Sequence, residues 1–207
     1  STRSKVAFID LNFADIKRRL EENRIEKVDF ILADLGICSA QIEDPQTGLS
    51  YQKDMPLDMR LDKSLSTTAA DIVNRLDEKS LADLIYEYGQ ERASRRIARF
   101  IVQYRDKQQI KTTGQLAAIV SRAMSKRRSR IHPATRTFQA LRIAVNNELE
   151  NLDRLLLDAP QVLKTGGKIA IISFHSLEDR RVKVNFKANA ANGIYELINK
   201  KPLTPSK

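Results

Sequence analysis

The sequence predicts an α/β fold in which a parallel sheet is interrupted by an all-helical subdomain, and three observations predict it. Two short apolar runs, VAFI at Val6–Ile9 and VDFILAD at Val28–Asp34, flank an amphipathic helical pattern. A third run of the same kind, KIAIIS at Lys168–Ser173, comes back only near the far end of the chain. Between the second and third runs the periodicity is helical and the charge strongly positive. Strand, helix, strand is the grammar of parallel pairing, and such a sheet accepts a helical insertion between strands.

Val6–Ile9 reads as a short buried strand, and Ile16, Leu20 and Ile25, after Asn12 and Phe13, give the first helix. Val28–Asp34 is the second strand and ends at Leu35-Gly36. From Gly36 to Ser66 the periodicity fails, and Pro45, Gly48 and Pro56 break any long element, which predicts a functional loop. Leu76, Leu81, Leu84 and Ile85 predict a helix closing near Gly89; Ile97, Phe100 and Ile101 predict another; Thr112 with Gln115 is a capping box that opens a third. Pro133 suits the first turn of one long helix with the stripe Phe138, Leu141, Val145, Leu149, Leu152 and Leu156, bounded by Pro160 and Gly166-Gly167. Lys168–Ser173 is then the third strand, with Ser176 as cap for a helix from Leu177. The domain reading is core plus loop over 1–66, helical subdomain over 67–130, the rest of the core over 131–187 and a polar tail over 188–207.

Composition narrows the function. With 42% hydrophobic and 30% charged residues and no apolar run near the roughly 20 residues that span a bilayer, the chain is not expected in a membrane. Its first residues lack the apolar core and cleavage site of a secretory signal, and Cys38, the single cysteine, precludes an internal disulfide framework. A reducing cytoplasm fits. With two histidines and one cysteine, no metal is expected. From Arg92 to Arg142 fourteen Lys or Arg face one acid, Asp106, so that segment carries +13 in a chain of net +10, and the remainder carries −3. Such polarisation suits a polyanion-binding face, the alternative being a solvated helical surface.

Four segments in fixed order, DLGICSAQ, GLSYQKDMPLDMRLD, IHPATRTFQALRIAVNNEL and ISFHSLEDR, carry a specific likeness. Together they resemble the bacterial small-subunit (16S) ribosomal RNA cytosine-N4 methyltransferases that use S-adenosylmethionine. The likeness runs from about Phe8 to Phe186. It implies a class I, Rossmann-like methyltransferase core with an inserted helical domain, acting on the exocyclic N4 amine of a decoding-region cytidine in small-subunit RNA. The cofactor contacts it implies are Phe13 of the NF pair, Asp34 of DLG and Gln41. The family pattern begins with a strand, a glycine-rich GGH turn and an acidic residue for the cofactor ribose. None of these is found here, so about the first quarter of that pattern is expected to lie outside this chain, an N-terminally truncated core. Cys38, Tyr51 and Leu61 replace the serine, phenylalanine and methionine usual in the family.

Cytosine's amino nitrogen is a poor nucleophile because its lone pair is delocalised into the ring. A catalyst must therefore orient it and accept its N–H bonds, and methyl transfer needs in-line positioning above all. Asp34 at a strand end is the first candidate, with Ser173 and His175 near the base and Arg180 near phosphate or a structural carboxylate. His175→Ala is expected to impair methylation with the fold intact. No acid is fixed beside His175 by sequence, so a Ser-His-Asp hydrolase is rejected. Lys126, Arg127, Arg128, His132, Arg136 and Arg142 are the candidate RNA-backbone contacts. Asp58 and Arg60 either order a loop over the site or form an internal ion pair. The alternative function is a catalytically silent RNA-binding module. A DNA amino-methyltransferase would show an acidic or polar residue, two prolines and an aromatic, which DLGICS does not. A homodimer is compatible with the apolar stripe and the resemblance.

Overall fold

The computed structural model describes residues 6, 8–9, 12–124, 131–199 and 201–204. In chain order the elements are a 3-10 turn (Phe13–Asp15), α1 (Ile16–Glu22), β1 (Val28–Asp34), α2 (Ser39–Glu43), α3 (Ala69–Arg75), α4 (Glu78–Gly89), α5 (Ser94–Arg105), α6 (Thr113–Ala123), α7 (Thr135–Asn146), α8 (Glu148–Val162), β2 (Leu163–Ile172) and α9 (Ser176–Ala191). They divide into two compact units, Ser1–Gly36 with Leu149–Lys207, and Ile37–Glu148. Among the described residues no helix is long and apolar enough to cross a membrane.

In the first unit β1 and β2 pair in parallel, with Phe30 opposite Lys168 and Asp34 opposite Ile172. This small parallel sheet among helices is the mixed architecture of a Rossmann-like core. The regular ladder begins at Lys168, where the sequence places the strand. The β2 segment starts earlier, at Leu163, because Gly166 at φ 78° and Gly167 absorb a register shift between Val28 and Phe30. Alternation along β1 buries Ile31 with Ala159, Val162 and Leu163, while Phe30 and Leu32 stay 54% and 59% exposed on the other face. Leu35, Leu152 and Leu156 form a second cluster, with Ala33, Ile171, Val182 and Phe186 packed on it. The strand expected at Val6–Ile9 is not formed by its described residues. Val6 and Phe8 are 75% and 96% exposed, and they have no pairing strand among the described residues against which to bury. Nor is the tail only polar, since Tyr195 packs edge-on to Phe186 with ring centroids 5.6 Å apart.

The second unit is helical and wider than the segment 67–130, because α7 shares its core. Leu81, Ile85, Ile97, Ile101, Leu116 and Leu141 are buried in one cluster. Each contributes roughly 1.5–3 kcal/mol by leaving water. The single long helix expected after Pro133 is two helices: Asn147 adopts the left-handed conformation at φ 49° and ends α7, so the stripe is split. Phe138, Leu141 and Val145 serve the helical core, whereas Leu152 and Leu156 serve the sheet. Thr112 caps α6 as its capping box predicts, accepting from the Gln115 amide. The long loop is ordered by burial of Met55, Leu57 and Met59 at alternate positions. At Gly48, φ +66°, a Cβ would sit 2.1 Å from the Pro56 carbonyl oxygen, so the turn admits no side chain.

Gly89 lets α4 approach α7, since a Cβ there would stand 2.5 Å from the Arg136 carbonyl oxygen. Gly89→Ala is expected to destabilise the protein by about 1–3 kcal/mol through this overpacking. The urea midpoint should fall with little change in the slope of the transition.

Candidate functional site

The parallel register sets the carboxyl ends of β1 and β2 side by side, the place where open α/β sheets bind ligands. The Leu35 amide continues the ladder onto the Ile172 carbonyl at 3.1 Å. Gly36, at φ +93°, lies so close to the Phe174 ring that a Cβ would be 3.2 Å from it. Two polar strand ends, Asp34-Leu35-Gly36 and Ser173-Phe174-His175, are thereby stitched together. Asp34 is exposed, and its carboxylate makes no hydrogen bond or ion pair among the described residues.

Beyond β2 the chain turns into α9, and the cap is His175 rather than Ser176, so the helix begins one residue early. The Glu178 amide donates to His175 Nδ1 at 3.4 Å. That bond leaves the neutral ring proton on Nε2, which lies 3.3 Å from Glu178 Oε1, within ion-pair reach but off the angle of a hydrogen bond. Glu178, 3% exposed, accepts the Phe174 amide at 2.9 Å and the His175 amide at 3.3 Å through Oε2. Burial pushes its carboxyl up, but the His175 side chain and the two amides together outweigh burial and hold it below the ordinary glutamate value. His175 is thus committed to the turn itself. The carboxylate reached from this helix belongs to the neighbour of Arg180: Arg181 pairs with Asp153.

Phe13 opens the 3-10 turn and is 40% exposed, while Asn12 caps that turn by accepting the Ala14 amide at 2.9 Å. Gln41 lies in the other unit, where its Oε1 accepts the Cys38 amide at 3.0 Å. S-adenosylmethionine carries a cationic sulfonium, ribose hydroxyls and a flat adenine. The uncommitted Asp34 carboxylate and the half-open Phe13 ring fit that chemistry.

In the PLDMR segment the internal ion pair is what forms. Arg60 Nε and Nη2 reach the two Asp58 oxygens at 2.7 and 3.0 Å, and Lys63 adds a contact at 3.0 Å. Arg60 also donates to the Leu65 carbonyl at 2.6 Å, which folds the loop on itself.

Of the basic candidates, Lys126, Arg127 and Arg128 lie outside the described residues. Arg142 is spent on Glu148 in a bidentate pair at 2.8 and 2.9 Å, both side chains mostly buried. Arg136 stands 3.7 Å from the buried Glu91. His132 is exposed and stacks on Tyr51 at 4.4 Å, with Tyr51 Oη bonded to Thr135 at 2.9 Å. Sequence reading missed Asn146, whose side chain accepts the Leu61 amide and donates to the Met59 carbonyl, both at 2.8 Å. The signal was the Asn-Asn pair closing an otherwise apolar helix stripe.

The MraW methylase family model matches residues 1–207. The chain is 52% identical over 202 residues to the ribosomal RNA small subunit methyltransferase H of Cyanothece sp., covering 98% of this chain and 65% of that protein. It is 48% identical to the protein of the same name from Acidobacterium capsulatum, over 99% of this chain and 67% of the relative. With that of Ehrlichia chaffeensis it shares 47% identity, over 98% and 71%. The chain therefore spans about two thirds of the length of these relatives.

Two outcomes are expected. His175→Ala removes a cap and a neighbour of the Glu178 carboxylate, so stability at neutral pH should drop by about 1–2 kcal/mol while the fold is kept. An unchanged urea midpoint would take this cap out of the folding energetics. The Asp58 carboxyl is held down to about 2 by Arg60, then by Lys63, against an ordinary 3.8. A depressed carboxyl stabilises above its unfolded value and loses that contribution as pH falls through the folded value. About 2 kcal/mol should thus disappear as acid is added from just below pH 4 to about pH 2, and Asp58→Asn should flatten this part of the stability profile.

Proposed function

Because this chain belongs to the MraW methylase family, we propose that it serves the S-adenosylmethionine-dependent methylation of the exocyclic N4 amine of a cytidine in small-subunit ribosomal RNA. The substrate class comes from the names of its relatives, and a cytoplasmic setting accords with it. The observation that carries the reading is the pair of strand ends with an uncommitted carboxylate, Asp34, at their shared edge. S-adenosylmethionine, when bound, supplies an electrophilic methyl group on a sulfonium. Asp34 would hold the site's negative charge toward that cation and accept a hydrogen bond from the N4 amine, turning its lone pair out of ring conjugation. Phe13 would offer its ring face to a planar base. Ser173 would present its hydroxyl from the end of the neighbouring strand, and His175 and Glu178 would keep the Ser173-Phe174 backbone in place. Most of the rate would come from positioning, since a sulfonium is already activated.

Calorimetric titration of S-adenosylmethionine, and of the demethylated product, into this chain tests the reading. Binding in the micromolar range is expected, and Asp34→Asn should weaken the sulfonium form by tenfold or more, because a hydrogen bond to a charged group is worth about 1.5–3 kcal/mol. Equal affinity of wild type and variant, with undiminished methyl transfer, would remove Asp34 from the site. Absence of binding to either ligand would favour the silent RNA-binding reading.

A further inference from the structure

Arg95, Arg96 and Arg99 stand on α5, Arg92 lies in the turn that leads into it, and all four are exposed. The opposite face of α5, with Ser94, Ile97, Ala98 and Ile101, is buried. Among the described residues none of the four forms an ion pair or hydrogen bond; Arg96 only overlies the Phe100 ring at 5.8 Å. Several arginines elsewhere are spent on carboxylates, as at Asp58, Asp71, Glu91 and Glu148. On α4, Asp83 is taken by Lys79 at 2.8 Å; that bond holds the Lys79 ammonium above its ordinary value, and Arg95 opposes it. The stripe therefore meets another cation at this border. Like charges at i, i+3 and i+4 work against helix formation, so folding alone gives no reason for the pattern.

We propose that Arg92, in the turn that leads into α5, and the α5 arginines Arg95, Arg96 and Arg99 form the surface by which this chain grips the phosphate backbone of its RNA, in place of Arg136 and Arg142. This rests on the RNA-substrate reading above. Guanidinium groups left in water keep their donors for phosphate, which planar forks match two bonds at a time. They touch no base edge, so the contact sets affinity and orientation and leaves sequence choice to the site.

The test is fluorescence anisotropy with a labelled RNA hairpin of small-subunit decoding-region sequence and a scrambled hairpin, titrated at several salt concentrations. Each phosphate neutralised contributes roughly 0.7–0.9 to the slope of log affinity against log salt, so replacing all four arginines by Gln should reduce the slope by about 3. Both hairpins should lose affinity by tenfold or more at low salt. The double variants Arg92→Gln/Arg95→Gln and Arg96→Gln/Arg99→Gln should each take about half of the slope change, and fourfold Arg→Lys should keep most of it. A slope unchanged in the folded fourfold Gln variant overturns the proposal. So does wild-type binding to anionic phosphatidylserine vesicles with none to either hairpin. Calorimetry with S-adenosylmethionine on the same proteins separates the two readings. Cofactor binding with an unchanged RNA slope sinks only the stripe, whereas a reduced slope without cofactor binding keeps the stripe and sinks the enzymatic reading.

Discussion

The parallel register of β1 on β2 is the constraint from which the first unit follows. It joins segments separated by most of the chain, and closing so long a connection costs only slightly more entropy than closing one half its length. Once Asp34 stands opposite Ile172, Leu35 and Ser173 are fixed as the next residues, and the polar strand ends share one edge. The glycine pair at 166–167 belongs to the same constraint. It absorbs surplus residues at the start of β2 so that the ladder from Lys168 onward can run without slip, and a slip of one residue would turn Ile31 outward.

The second unit solves a different problem, that of holding a long non-repetitive loop whose backbone pairing is confined to short stretches such as the bridge of Pro56 with Thr112. Its answer adds to those backbone bonds a set of side chains that serve the remaining backbone groups. Asn146 serves two backbone groups of residues 59–61, and Thr113 donates to the Lys53 carbonyl while accepting the Met55 amide. The Asp58–Arg60 pair then closes the segment on itself. Polar side chains placed this way pin a loop because an unmet backbone group in a buried position is costly.

Much of this was legible in advance. Val28–Asp34 was readable to the residue because an apolar run bounded by charge and glycine has few other solutions, and Thr112 with Gln115 announced the start of α6. The break at Asn147 was not, since spacings of three and four continue across it; only a backbone preference for the left-handed region marks the site, and asparagine is tolerated in many helices. In the candidate site, the strand-end position of Asp34 was visible from pattern. The commitment of His175 was hidden, because capping by an imidazole and presentation of an imidazole to a ligand look alike in sequence. The fates of Arg136 and Arg142 were equally invisible, for their carboxylate partners are set by how the helices fold.

The exposed face of β1 has a consequence for the behaviour of the chain in solution. Phe30 and Leu32 stand in a row on a two-stranded sheet whose outer edges have no hydrogen-bonded neighbour among the described residues. A flat apolar row beside an open strand edge is a template for association between copies. What opposes it is mutual repulsion from a net charge of +10, much of it carried by arginines of the helical unit. Colloidal stability and polyanion affinity would then draw on the same charges, so salt that loosens one also removes the barrier to self-association.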